Sequence, residues 1–191
     1  MIGLSTYIAE VCNSALYSSP YTARVIHSEL QRRLVAKTLN VDDFSTYASY
    51  FWSVTLDFES VSGVYLGMPS RAFFEYDRLP DASFVVSQQY PFIDQRNYSI
   101  ADPKTGLAIG APYRYVYGYN PTQRVWYIAA VASRGEIWSP IFQFSSLRWG
   151  LTLAKPVYNL TDTKQPLLAC IGINVDLEAI SVTLRNTTVK T

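Results

Sequence analysis

Tyr119-Asn120-Pro121-Thr122-Gln123-Arg124-Val125-Trp126-Tyr127 is the stretch on which the reading of this chain turns. Asn directly before Pro is a helix-start pair: the carboxamide can accept from backbone N–H groups of the first turn, and the fixed φ of Pro suits the first helical position. The pair predicts a short helix from Pro121 through Ala130 with Asn120 as its cap. Residues on both sides alternate instead. Tyr113 to Tyr119 predicts a strand before the helix, and three more are predicted after it, around Ile137 to Phe142, Trp149 to Tyr158 and Leu167 to Val175. One short helix set among such strands predicts an α+β domain with a single antiparallel sheet of five to six strands.

Working back toward the N-terminus, the period of two begins near Val61. Gly63 to Gly67, a Met68-Pro69-Ser70 turn and Ala72 to Tyr76 predict a β-hairpin. Residues 77–108, rich in Pro, Asp, Ser and Gln, predict a long irregular connection, which in a compact domain usually covers a site. Before the hairpin the pattern is helical. Leu4, Ile8, Val11, Cys12 and Ala15 lie on one stripe, and Ser19-Pro20 either starts a second helix or kinks one long one. That segment carries Val25, Ile26, Leu30 and Leu34 on one face, and Arg32, Arg33 and Lys37 read as its solvated end. A third helix is predicted from Asp42 or Asp43 through Tyr47, Tyr50 and Phe51, and a closing one, capped by Asp176, over Leu177 to Leu184.

Composition narrows the function. The 191 residues suffice for one domain with a real core, 49% are apolar and 16% charged, and the formal net charge is +1, so no global field attracts nucleic acid. Aromatics reach 15%, with fifteen Tyr, which suits a packed sheet and a recognition surface alike. No apolar run is long enough for a membrane span. With one His (His27, expected to be exposed) and two distant Cys, neither a zinc site nor a CxxC redox pair is expected, and no cofactor is implied. Cys12 and Cys170 read as two buried thiols or as one disulfide. Sequons stand at Asn97, Asn159 and Asn186. Without GxSxG, P-loop or dinucleotide fingerprint, nothing in the sequence asks for catalysis.

The order of elements and five ordered segments resemble the membrane-distal module of a double Cache (PAS-like) sensor domain. The segment Tyr119 to Tyr127 resembles the family's Y-[DN]-P-x-x-R-x-W-Y. Val64-Tyr65-Leu66-Gly67, Trp138-Ser139-Pro140-Ile141-Phe142, Lys155-Pro156-Val157-Tyr158 and Gly172-Ile173-Asn174-Val175-Asp176-Leu177 resemble its other strand segments. The resemblance covers most of the chain from about residue 20 onward. It implies a PAS-like antiparallel sheet at 59–185, a long helical region at 1–58 and a tail at 186–191 leading to a membrane-proximal part. It further implies an extracellular or periplasmic ligand-binding sensor of a membrane-anchored receptor, not an enzyme, with dimerisation through the N-terminal helix.

Within that family, Tyr119, Arg124, Trp126, Tyr127 and Asp176 resemble the pattern of modules that bind free amino acids. The chemistry fits: Arg124 can fork to a carboxylate beside the Trp126 indole N–H, while Asp176 takes an ammonium beside the Tyr119 ring. Phe142 and Phe144 stand where such relatives often have Tyr and Asp. They form an apolar wall and leave the ammonium side one anion and one hydroxyl poorer. Plainer roles stand beside these: Arg124 paired with Asp102, Trp126 as core, Tyr127 packed on the sheet, and Asp176 as helix cap. The alternative at the level of function is a non-catalytic interaction module of a larger extracellular protein.

Overall fold

The computed structural model describes residues 21, 24–33, 36, 38, 40, 43–46, 48–57, 61–144 and 146–177. Residues 24–33 form helix α1. A 3-10 turn, Phe44–Thr46, leads into α2, Ala48–Asp57. Five strands follow: β1 (Gly63–Gly67), β2 (Phe73–Arg78), β3 (Phe84–Gln89), β4 (Arg96–Ala101) and β5 (Arg114–Val116). After the 3-10 turn Pro121–Gln123 and helix α3 (Val125–Ser133), the chain returns as β6 (Ile137–Trp138), β7 (Phe142–Gln143), β8 (Trp149–Tyr158) and β9 (Leu167–Asp176). All nine strands join one antiparallel sheet in the order β5-β4-β3-β2-β1-β9-β8-β6, with β7 also on β8.

The sheet has two unlike faces. Val64 and Leu66 of β1, Phe74 and Tyr76 of β2, Val86 of β3 and Ile171 and Ile173 of β9 alternate onto one face, where α1 (Ile26, Leu30) and α2 (Phe51, Val54) cover them. This is the main core. Each such side chain contributes about 1.5–3 kcal/mol by leaving water. The intervening residues face α3, where Trp126, Tyr127 and Ala130 pack on Tyr65, Phe73, Ala154 and Cys170. α1 is also fastened to β8 by polar contacts, since the His27 ring bonds the Pro156 carbonyl at 3.0 Å and Gln31 Nε2 donates to the Tyr158 carbonyl. His27 is therefore half-buried where the sequence predicted exposure, because its side of α1 meets the end of β8.

Several expectations are corrected. The sheet has nine strands where five or six were expected, chiefly because 77–108 is no irregular connection: it holds β3 and β4, paired in register from Phe84↔Ala101 to Gln88↔Asn97. Their Ser, Gln, Asn and Arg residues read as loop, yet Ser87, Gln89, Arg96 and Ser99 are buried. The strand predicted over Tyr113 to Tyr119 pairs into the sheet only at Arg114–Val116, the sheet edge, and the one around Ile137 to Phe142 splits in two at Pro140. The helix predicted from Pro121 breaks at Arg124, whose ψ of 145° separates a 3-10 turn from α3. The stripe over Leu4 to Ala15, the closing helix beyond Leu177, Lys37, Cys12 and Asn186 lie outside the described residues.

Candidate functional site

The sequence around Asn120 folds as its chemistry dictates. Asn120 Oδ1 accepts from the Thr122 N–H at 3.0 Å and from its hydroxyl at 2.8 Å, and Pro121 occupies the first turn. This cap places α3 over the middle of the sheet. The approach is close because Gly67 lies beneath it, where a Cβ would come within 2.8 Å of Pro121 and 2.9 Å of the Trp126 ring. Trp126 meets Tyr65 edge-on at 4.9 Å and Tyr127 at 5.5 Å. Phe73 meets Tyr119 edge-on at 5.0 Å.

The face under α3 carries the interior charge of the molecule. Among the described residues, the buried charged side chains are Glu75, Asp77, Arg96 and Asp176. Register places them on the α3 face: Glu75 and Asp77 alternate with Phe73 along β2, Arg96 bonds both Glu75 and Ser87 across β3, and Asp176 alternates with Gly172 and Asn174 along β9. The Arg96 guanidinium is ringed by Phe73, Tyr98 and Tyr119 at 4.2, 4.7 and 4.5 Å from their centroids. Beside this lies a neutral network in which the Tyr65 hydroxyl reaches Thr152 at 2.8 Å and Asn174 Oδ1 at 3.0 Å, and Thr152 donates to the same oxygen.

Toward the end of β9, Arg148 bridges two carboxylates. Its guanidinium donates to Asp176 Oδ2 at 2.7 Å, to Asp77 Oδ1 at 2.9 Å and to the Arg78 carbonyl at 2.6 Å. Burial and the neighbouring Glu75 push the Asp77 carboxyl up to about 7 against the opposing pull of Arg148 and Arg96. Burial also pushes the Tyr119 and Tyr127 phenols up to about 12. Both are neutral at physiological pH and act as hydrogen-bonding and aromatic surface. Among the described residues no group of three or more His, Cys, Asp or Glu side chains is placed to hold a metal ion.

The residues singled out from sequence fall in separate places: Tyr119 lies at the Phe73 end of this face, Asp176 at the Asp77 end, and Arg124 on the surface. Tyr119, Trp126, Tyr127 and Phe142 share the aromatic cluster under α3. Phe144 is buried against Phe142, edge-on at 5.2 Å, and its ring lies over Gly150, the register partner of Asp176. Asp176 is buried and holds Arg148. Arg124 is exposed at the rim, its guanidinium 5.8 Å from the Tyr119 ring. Asp102, its suggested partner, instead accepts the N–H groups of Lys104 and Thr105 in its own turn. Glu75, Asp77, Gln89, Arg96 and Arg148 escaped the sequence reading. The available signal was Phe73-Phe74-Glu75-Tyr76-Asp77, in which acids alternate with aromatics on a central strand.

No family model matches the sequence, and no curated protein sequence is recognisably similar to it. Solved structures do match. The ligand-binding domain of the Campylobacter jejuni chemoreceptor Tlp3 solved with 4-methylisoleucine superposes with a TM-score of 0.61 at 9% identity, over 93% of this chain and 57% of that one. The same domain with L-norvaline gives 0.60 at 10% identity, over 95% and 59%. The ligand-binding domain of Mlp24 with asparagine gives 0.53 at 19%, over 92% and 56%. The chain thus spans somewhat more than half the length of these domains. At such identities the likeness is one of fold: this chain has the antiparallel α+β fold found in the ligand-binding domains of chemoreceptors.

Proposed function

We propose that this chain is the extracytoplasmic ligand-binding sensor domain of a transmembrane signalling receptor, and that it takes a small amine-bearing molecule such as an amino acid between α3 and the sheet. The observation that carries this reading is the uneven placement of buried charge. A fold held only by packing has no use for ionised groups on one inner face, where desolvation costs several kcal/mol per ion. Here three carboxyl groups (Glu75, Asp77, Asp176) share two guanidiniums (Arg96, Arg148), so whenever Asp77, raised to about 7, is ionised the face is one positive charge short and favours a cationic group on the ligand. Arg124, at the rim beside Tyr119, is placed to meet a ligand carboxylate. The domains with this fold were solved with 4-methylisoleucine, L-norvaline and asparagine, all of which carry an ammonium and a carboxylate.

The parent receptor is anchored in the membrane, and binding shifts the helices that lead out of the domain, dimerised through the N-terminal one. A thermal-shift screen of the refolded domain against amino acids, amines, purines and carboxylates, followed by calorimetry, tests the reading. Amino acids or amines are expected to raise the melting temperature. Asp176→Ala and Arg124→Ala are each expected to weaken binding about tenfold or more, whereas Phe142→Tyr strengthens it by restoring a hydroxyl. Stabilisation by amine-free carboxylates alone would refute the amine assignment, and a silent screen would favour the interaction-module alternative.

A further inference from the structure

Gln89 closes β3 opposite Phe73 and is 1% exposed. Its carboxamide orientation is forced: Nε2 donates to the Arg71 carbonyl at 2.9 Å and to the Tyr119 carbonyl at 3.0 Å. Flipping the amide would set its oxygen against two carbonyl oxygens, so Oε1 has to be the atom that points elsewhere. Among the described residues no donor reaches Oε1. A buried acceptor without a donor costs as much as a lost hydrogen bond, and native chains retain one chiefly where something else fills it. The residue that carries this acceptor pairs with Phe73 and bonds the Tyr119 carbonyl, at the Tyr119 end of the charged face.

From this geometry we infer that Gln89 is a ligand-contacting residue whose Oε1 accepts an N–H of the bound molecule. The inference rests on the reading of the α3 face as a ligand face and adds a residue that the family resemblance did not supply. It also states a chemical requirement. The occupant at this end is a hydrogen-bond donor, so a quaternary ammonium of equal charge does not replace a primary one.

The test uses methylammonium chloride against tetramethylammonium chloride at matched ionic strength, read as the melting temperature of the wild-type domain. Methylammonium is expected to raise it progressively with concentration, and tetramethylammonium to leave it unchanged. Gln89→Lys keeps donors for the two carbonyls but presents no acceptor, and is expected to weaken the methylammonium response about tenfold or more. Gln89→Met is a second variant should the lysine not fold, and the two-cation comparison on the wild type needs no variant at all. Equal responses to the two cations, no response to either, or an undiminished response in the Gln89 variants would overturn the assignment and leave Oε1 to a buried water. An amino-acid response without a methylammonium response would remove Gln89 alone. The converse would keep Gln89 and remove the amino-acid reading.

Discussion

Asp77 and Arg148 determine how the charged face responds to pH. A carboxyl raised from 3.8 to about 7 on folding binds its proton more tightly in the folded chain. Its contribution is therefore most favourable below the unfolded value, declines as pH rises, and levels off above about 7. Urea unfolding is expected to show lower stability at pH 8 than at pH 5.5 from this group, with Asp77→Asn flattening that slope. Arg148→Met should cost about 3–5 kcal/mol at pH 8, because it leaves two buried carboxylates facing each other, and less at pH 5.5, where Asp77 can take a proton. An Arg148→Met penalty independent of pH would show that the bridge is held by packing alone. At this scale the sequence was legible where chemistry is local. Asn120 caps as its position before Pro121 predicts, whereas the partner of Asp176 comes from Arg148, 28 residues away, on a turn whose path no periodicity reveals.

The elements sort by whether their inner face is apolar. β1, β8 and β9 were readable because Val, Leu and Ile mark their positions. β3 and β4 were missed because their α3-facing positions hold Ser87, Gln89 and Arg96, and a hydrophobic period is not legible where buried positions are polar. Close approach is the other feature hidden from pattern. Gly172 lies under the Tyr65 ring, where a Cβ would fall 2.1 Å from a ring carbon, while at Gly135 the nearest atom is 3.8 Å away. Gly172→Ala is accordingly expected to destabilise the domain by about 1–3 kcal/mol. Gly135→Ala should stay within about 0.5 kcal/mol by the same measurement. Equal effects would mean that Tyr65 moves aside freely. Native-state hydrogen exchange is expected to rank the central pair β1 and β9 slowest and the edge residues Arg114–Val116 fastest. The reverse order would contradict the sheet topology.

At the scale of the whole molecule, the two sides of one sheet differ: an apolar side under α1 and α2 holds the main core, and the side under α3 holds the buried charge and, on the proposed reading, the ligand. The α1–α2 side also has an open groove of about 510 Å³ lined by Tyr21, Arg24, Val25, Ser28, Glu29, Arg32 and Tyr50. There Glu29 is already bonded by both Arg32 and Arg33, and these hydrogen bonds hold its carboxyl down to about 2. Its anion is thus met by its own helix, unlike the charge-deficient face under α3. The two sides therefore make opposite predictions for where a ligand lands. The most direct measurement is an NMR chemical-shift map of the domain titrated with whichever amino acid or amine raises its melting temperature. Shifts confined to the α3 face, centred on Tyr65, Glu75, Gln89, Trp126, Asn174 and Asp176, are predicted; shifts centred on Val25, Ser28, Arg32 and Tyr50, with the α3 face silent, would contradict the account.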